Sequence, residues 1–125
     1  MSTPQTVQVL DVAGPQLALV EGSGRAQAVV WPGVGAHARS MHVIALVGGS
    51  RTRVQSHPGE AVYYVFEGSG EVVEPGGSDA QELTVGSMVH VDGGTAYVFA
   101  AGDDGLELVG GPSPADPSLY AEGGS

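Results

Sequence analysis

Short apolar runs that end at turn-forming residues recur along the whole sequence. No window of about 11 residues carries apolar side chains at the i, i+3, i+4, i+7 spacing of an amphipathic helix. The runs are rich in Val, Leu, Tyr or Phe, and Gly, Pro, Asp or Ser closes each of them. Many short strands separated by such turns predict an all-β chain that folds as a sandwich or a barrel.

The runs define the predicted strands and turns. The predicted strands are 6–10, 16–20, 27–31, 41–47, 51–57, 61–67, 70–74, 81–85, 88–91, 96–100 and 106–109. The predicted turns are 67–70, 75–78, 92–94 and 103–105. A length of 125 residues predicts a single domain over 1–125. The Pro-rich tail, 111–125, is expected to be an ordered strap or a solvated end rather than a central strand, with Tyr120 as a candidate tether.

The strongly acidic composition excludes several classes of partner. The chain has 14 Asp and Glu against 4 Lys and Arg, for a formal net charge of -10. Such a surface repels phosphate backbones and anionic lipid, so no nucleic acid and no membrane partner is expected. The chain has no cysteine, which excludes disulfides and thiolate metal sites. It also lacks a secretion signal and any apolar run of about 20 residues, so a cytoplasmic location is expected.

Two groups of residues in the middle of the chain are identified by the spacing between their members. The first group is Gly49, Gln55, His57, Ala61 and Gly68. The second group is Gly86, Asp92, Gly94, Tyr97 and Ala101. The glycines in both groups match the spacing of the two cupin motifs, and the chain therefore resembles the cupin superfamily over about 41–109. This resemblance implies a cupin-type double-stranded β-helix, which is a jelly-roll barrel, and assembly as a homodimer.

The same resemblance bears on metal binding. A typical cupin holds its metal with two His, one Glu and a third His, and these slots contain Gln55, His57, Ala61 and Tyr97 here. Only His57 keeps the ligand type, and one imidazole without an anionic partner binds a divalent ion weakly. No cofactor is therefore expected.

A divalent metal remains possible if other donors replace the missing ones. The candidate ligands are then His57, Gln55, Glu60, His90 and Tyr97. Glu60 would need a bulge near residues 58–59 to turn its side chain inward. A set of His42, His57 and His90 is a further alternative.

Strand alternation predicts which side chains line the barrel. Arg51, Arg53, Gln55 and His57 share one face of a strand, which would be the interior face in a cupin. A metal-free cavity with apolar walls and a few polar groups suits a small organic molecule. The predicted substrate-binding residues are Arg53, Gln55, Tyr63, Met88 and Phe99.

Three residues carry the predicted chemistry. His57 and His90 are candidates for proton transfer, and Tyr97 is a candidate donor to a developing oxyanion. Arg53 would pair with a carboxylate or enolate. These groups suit isomerisation, elimination or aldol-type cyclisation of a carbonyl or carboxylate compound, and the resemblance to small stand-alone cupins suggests a role in bacterial secondary metabolism.

Other interpretations of the same residues stay open. The protein is alternatively a metal-dependent, dioxygenase-like cupin with unusual ligands, or a ligand-binding module without catalysis. Tyr63, Tyr97 and Phe99 also suit ordinary core packing. His57 and His42 also suit structural hydrogen bonds within the barrel.

Overall fold

The computed structural model describes residues 7–10, 14–77 and 79–120. In these ranges eight strands pair antiparallel in one sheet that nearly closes into a barrel. The strands are β1 (Val20–Glu21), β2 (Gly24–Val30), β3 (Met41–Leu46), β4 (Arg51–Thr52), β5 (Glu60–Val73), β6 (Ala80–Leu83), β7 (Met88–Val91) and β8 (Val98–Ser113). Two short 3-10 helices, Pro32–Val34 and Pro117–Leu119, follow β2 and β8. The all-β class predicted from the sequence is confirmed.

The sheet is organised around its two longest strands. β5 and β8 pair with each other from Glu60↔Ser113 to Val73↔Val98. β8 also pairs with β3 and β4, while β5 also pairs with β6 and β7. β2 joins the sheet through β3, and β1 joins it through β4. Each of the other six described strands is therefore held in place by the β5–β8 ribbon or by a neighbour of it.

Two predicted turns prove to be bends within these long strands. The strands predicted at 61–67 and 70–74 are one strand, β5, and β8 contains residues 98–100 of the strand predicted at 96–100 together with the whole of the one predicted at 106–109. The pairing register shifts near Gly68, and Gly68 and Gly105 both have positive φ, 80° and 84°. A Cβ on Gly68 would lie 2.1 Å from the carbonyl oxygen of Gly105. The glycines thus let the two backbones bend together where turn residues alone suggested chain reversal.

The remaining strand predictions need smaller corrections. Residue 6 lies outside the described part of the chain, and residues 7–10 form no strand. The predicted strand 16–20 is reduced to a single bridge at Gln16, with Val20 beginning β1. The expectation that no part of the tail forms a strand is wrong for Gly111–Ser113, which extend β8. Pro112 fits there because only its carbonyl is needed, which accepts hydrogen bonds from the N–H and hydroxyl of Ser40.

Alternation along the strands fills the barrel interior. In β3, His42, Ile44 and Leu46 are buried, whereas the residues between them are partly exposed. The largest fully buried side chains include Tyr63, Tyr97, Phe99, Ile44, Leu106, Leu108 and His42. The interior is thus mainly apolar and aromatic, and polar groups are concentrated around the histidines.

The bend between β5 and β8 makes a testable prediction. Gly68→Ala should reduce the free energy of unfolding by about 2–4 kcal/mol, because it combines left-handed strain with a backbone clash. Gly86→Ala is the matched control, because Gly86 has φ 96° but open space around it, and should cost only about 1–2 kcal/mol. Urea unfolding of both variants measures the difference. Equal losses would mean that the close approach of the two strands is relaxed at little cost.

Candidate functional site

The central polar contact of the barrel joins His57 to Asp116. Nδ1 of His57 lies 2.6 Å from Oδ2 of Asp116, and both side chains are almost fully buried. The other carboxylate oxygen of Asp116 accepts from the N–H and the hydroxyl of Ser118. Burial alone would raise the pKa of Asp116, but the hydrogen bonds from His57 and Ser118 outweigh it and lower that pKa. The carboxylate is therefore ionised, and Nδ1 of His57 carries the proton that it donates to Asp116.

This contact leaves Nε2 of His57 as the ring atom that can exchange a proton. Nε2 lies 3.3 Å from Oε1 of Gln55. A protonated Nε2 donates to that oxygen, whereas a neutral Nε2 accepts from the amide nitrogen once the amide is rotated. Gln55 can therefore hydrogen-bond His57 in either protonation state. This arrangement suits a group that gains and loses a proton.

A change of register explains why Gln55 faces inward and Arg53 does not. Arg51 pairs with Ala100 and Gln55 pairs with Tyr97. Gln55 is therefore four residues from Arg51, whereas its partner Tyr97 is only three residues from Ala100. The extra residue reverses the alternation between Thr52, which is buried, and Gln55. The prediction that Arg53 lines the interior is therefore wrong. Arg53 and Arg51 are exposed.

A pair of buried tyrosines lies beside His57. The hydroxyls of Tyr63 and Tyr97 are 2.6 Å apart, and the ring of Tyr97 meets that of His57 edge-on at 6.1 Å. Phe99 packs against both tyrosines, with ring centroids 4.8 and 5.6 Å away. Burial raises the pKa of Tyr97 to about 12 and the pKa of Tyr63 well above its ordinary value. Both phenols are therefore protonated. One hydroxyl donates to the other, and the second hydroxyl keeps its own proton free to donate elsewhere.

A second imidazole contacts the C-terminal segment. Nε2 of His42 lies 2.6 Å from the hydroxyl of Tyr120, whose ring lies against Trp31 with centroids 5.3 Å apart. Burial, and secondly the charge of His57, lower the pKa of His42 from 6.5 to about 4. His42 is therefore neutral at physiological pH. Its Nδ1 is buried without a hydrogen-bond partner in the described part of the chain.

The expectation that His90 and Met88 lie in the barrel interior is wrong. β7 pairs with β5 so that His90 lies opposite Val62 and Met88 opposite Tyr64. Directly paired residues lie on the same face of a sheet, and Val62 and Tyr64 face outward. Met88 is consequently 75% exposed.

The inward bulge considered for Glu60 is likewise wrong. Glu60 is exposed and belongs to the outward-facing set of β5. Its Oε1 lies 2.5 Å from Nε2 of His90, so the two form an ion pair at the surface when His90 is protonated.

A cleft of about 200 Å³ opens beside the three packed aromatic rings of Tyr63, Tyr97 and Phe99, and Tyr97 contributes to its lining. Its apolar walls come from Val72, Val89 and Val91, and its acidic groups are Glu74, Asp79 and Asp92. His90 also borders this cleft, from the outer face of β7. The cleft thus offers an apolar surface within an acidic rim.

The donors considered for a metal do not converge. Gln55, His57 and Tyr97 lie in the interior, while Glu60 and His90 lie on the outer face. Across the described ranges, no group of three or more His, Cys, Asp or Glu side chains could hold a metal ion. These residues do not fit the three-ligand site that transition metals generally need. The expectation of no cofactor stays a prediction.

Sequence reasoning missed Asp116 and assigned no partner to Tyr120. Both belong to the C-terminal strap, which we define as residues 115–120. Asp116 is the N-cap of the second 3-10 helix, and the sequence Asp-Pro-Ser is a common helix start. That signal identifies a cap, but the contact with His57, 59 positions away along the chain, arises only in the folded barrel.

Comparison with solved structures gives matches across most of the chain. A cupin-like protein from Thermotoga maritima matches with a TM-score of 0.72 at 22% identity, covering 86% of this chain and 82% of that protein. This chain has a cupin fold. A predicted oxalate decarboxylase from the same organism has a TM-score of 0.70 at 18% identity, with coverage of 86% and 99%. The polyketide cyclase RemF from Streptomyces resistomycificus has a TM-score of 0.66 at 18% identity, with coverage of 94% and 82%.

The cupin fold accounts for the spacing of the glycines. Gly49, Gly68, Gly86 and Gly94 all have positive φ, between 80° and 96°. Only glycine adopts that conformation without cost, so these positions are required by the backbone and not by a metal. No protein-family model and no curated protein matches the sequence.

The described residues contain no helix long and apolar enough to cross a membrane. A cytoplasmic location stays a prediction.

The buried His42 makes the stability of the protein pH-dependent. Between pH 6.5 and about 4 the unfolded chain binds a proton that the folded chain excludes, so stability falls as the pH is lowered through this window. The shift corresponds to about 3 kcal/mol. Asp116 acts at lower pH, because the stability that its depressed pKa contributes is complete above the ordinary value of 3.8 and is lost as the pH falls below it.

Urea unfolding between pH 7 and 4 tests the role of His42. The His42→Gln variant removes the titrating group and should lose most of the pH dependence in this window. An unchanged pH dependence in His42→Gln would assign the effect to another residue.

Proposed function

We propose that this cupin binds a small neutral carbonyl compound and catalyses proton transfer at it, as an isomerase, cyclase or lyase. Nε2 of His57 is the proton acceptor and Tyr97 is the hydrogen-bond donor to the carbonyl oxygen. The observation that carries the proposal is the buried 2.6 Å contact between His57 and Asp116. A base oriented by a second, ionised side chain is the arrangement that activated imidazoles use in acid–base catalysis.

The tyrosine pair supports the second half of this proposal. Because the pKa of Tyr97 is raised to about 12, its hydroxyl keeps its proton and is a donor rather than a base. If Tyr63 donates to Tyr97, then Tyr97 is free to donate to a ligand. A donor in a water-poor interior stabilises a developing enolate oxygen more than the same donor in water.

The charges around the cleft favour a neutral ligand over a carboxylate. Glu74, Asp79 and Asp92 line the cleft, and the chain carries a formal net charge of -10. Arg53, which was expected to pair with a carboxylate, faces solvent. An anionic ligand would therefore meet three carboxylates at the cleft, against one histidine, His90, and no arginine in the lining.

The similar structures are compatible with this proposal but do not decide it. One is described as a polyketide cyclase and another as a predicted oxalate decarboxylase, each at 18% identity. A shared fold at such identity does not transfer a reaction. Between the two, we favour cyclase-type acid–base chemistry, because the interior offers an oriented base and a phenol donor.

Deuterium exchange at a carbonyl compound tests the chemistry without knowledge of the natural substrate. In D₂O the wild-type protein should accelerate α-deuteration of cyclohexanone, a ketone that stays neutral at physiological pH, followed by proton NMR. His57→Gln and Tyr97→Phe should each lower the accelerated rate by about 100-fold. Asp116→Asn should also lower it, because the wrong tautomer of His57 is then favoured.

Arg53→Gln is the matched control, because Arg53 lies on the same segment as His57 but faces solvent. Its rate should equal that of the wild type. Binding of the ketone without accelerated exchange would favour the non-catalytic binding module. Metal content near one equivalent in protein purified without chelators, together with loss of exchange on its removal, would favour the metal-dependent alternative.

We also propose that two copies of this chain associate through the outer face of the sheet. A cross-strand row on this face contains Val43, Val109, Tyr64 and Met88, paired in sequence across β3, β8, β5 and β7. Tyr64 and Met88 are exposed, and no charged residue belongs to this row. Contiguous exposed apolar surface of this kind is a common feature of protein interfaces.

The neighbouring row supplies charges that favour a second copy as the partner. It contains Arg25, Ala45, Glu107 and Glu67 in order across β2, β3, β8 and β5. A two-fold axis parallel to the strands, between β3 and β8, would bring Arg25 of one copy opposite Glu67 of the other. A face that is complementary to itself is the requirement of a two-fold dimer.

Light scattering after gel filtration measures this association. The wild type should have the mass of a dimer, and Tyr64→Glu should shift it to the monomer, because two copies then bury an unpaired charge at the contact. Val54→Glu is the control, because Val54 is 60% exposed but lies outside this row. A monomeric wild type would contradict the proposal.

A further inference from the structure

The C-terminal strap covers both buried imidazoles of the barrel. Asp116 contacts His57 and Tyr120 contacts His42, each at 2.6 Å. His57 is 5% exposed and His42 is 0% exposed. In this state a ligand reaches neither ring from the side that the strap covers.

The contacts that attach the strap to the barrel are few, and most of them are polar. The N–H of Ala115 donates to the carbonyl of His37, and the side chains of Asp116 and Tyr120 contact the two imidazoles. The bonds from Ser118 to Asp116 are internal to the strap. Polar contacts of this kind are exchanged for contacts with water when a segment opens, so their net stabilisation is modest.

The apolar contacts of the strap are concentrated at its end. Leu119 and Tyr120 pack against the core, and the ring of Tyr120 contacts Trp31. A cleft of about 430 Å³, to which Pro32 and His37 contribute, runs between the strap and the loop that contains these residues. The strap therefore has open space along one edge and one aromatic contact that holds it closed.

We propose that the strap is a cover that opens at Tyr120 to admit a ligand to His57 and His42, and closes again to bring Asp116 against Nδ1 of His57. Closure then does two things at once. It excludes water from the imidazoles, and it orients His57 with Nε2 toward the interior. The identity of the ligand rests on the proposed function, but the opening of the strap does not.

Opening can be measured by the reactivity of individual histidines. Diethyl pyrocarbonate modifies accessible neutral imidazoles, and peptide mass spectrometry gives the rate for each one. In the wild type, the exposed His37 and His90 should react fast, and His57 and His42 slowly. The slow rates should be insensitive to low concentrations of urea, because opening of the strap exposes little surface.

Two variants at one position separate the contacts of the strap. Tyr120→Ala removes both the hydrogen bond to His42 and the contact with Trp31, and should increase the modification rates of His57 and His42 by about tenfold or more. Tyr120→Phe keeps the ring and removes only the hydroxyl, so its increase should be smaller. The rate at His90 should not change in either variant.

Two results would overturn the proposal. One is modification of His57 in the wild type that depends on urea as steeply as global unfolding does. The other is an unchanged rate at His57 in Tyr120→Ala. The result of the deuterium-exchange experiment is independent of this test. If the barrel were inactive but the strap opened, His57 and His42 would still be modified at the rates expected here.

Discussion

The β5–β8 ribbon is the constraint on which the rest of the barrel depends. Its two strands are 14 and 16 residues long, and they pair with each other and with four of the other strands described here. A flat ribbon of this length could not curve around a core, and the bend at Gly68 and Gly105 allows the curvature. The two backbones approach so closely there that a methyl group at Gly68 would collide with a carbonyl oxygen. Closure of the barrel thus follows from glycine at a few positions, and the apolar residues then have an interior to fill.

The interior is not uniformly apolar, and several of its polar groups are paired with one another, although Nδ1 of His42 and Nε2 of Gln55 have no partner among the described residues. Asp116 is paired with His57, and the hydroxyls of Tyr63 and Tyr97 are paired with each other. Burial of an unpaired charge would cost several kcal/mol, so the two members of the His57–Asp116 pair depend on each other. The same dependence ties the C-terminal strap to the barrel, because the strap carries the carboxylate. The orientation of the His57 ring and the position of the strap are therefore coupled through one short contact.

Sequence reasoning located part of the candidate site for reasons that can be stated. Gln55, His57, Tyr63, Tyr97 and Phe99 were expected in the interior from motif spacing and alternation, and the structure buries all of them. Arg53, Met88 and His90 were expected there as well but face outward. For Arg53 the cause is one extra residue between Thr52 and Gln55, and for the other two it is pairing with the outward face of β5. Alternation predicts which residues of a strand share a face, whereas bulges and strand pairing decide which face points to the barrel interior.

The sequence by itself determined the all-β class, the cupin-like spacing of the glycines and the loss of the usual metal ligands, because each of these depends only on local spacing and residue type. Only the tertiary structure decided that Asp116 meets His57 and that Tyr120 meets His42, across 59 and 78 positions of the chain. No periodicity links residues so far apart. They meet because β8 carries the chain back along the sheet and ends where the strap can cover the histidines. That position depends on every strand pairing between them, which local sequence does not encode.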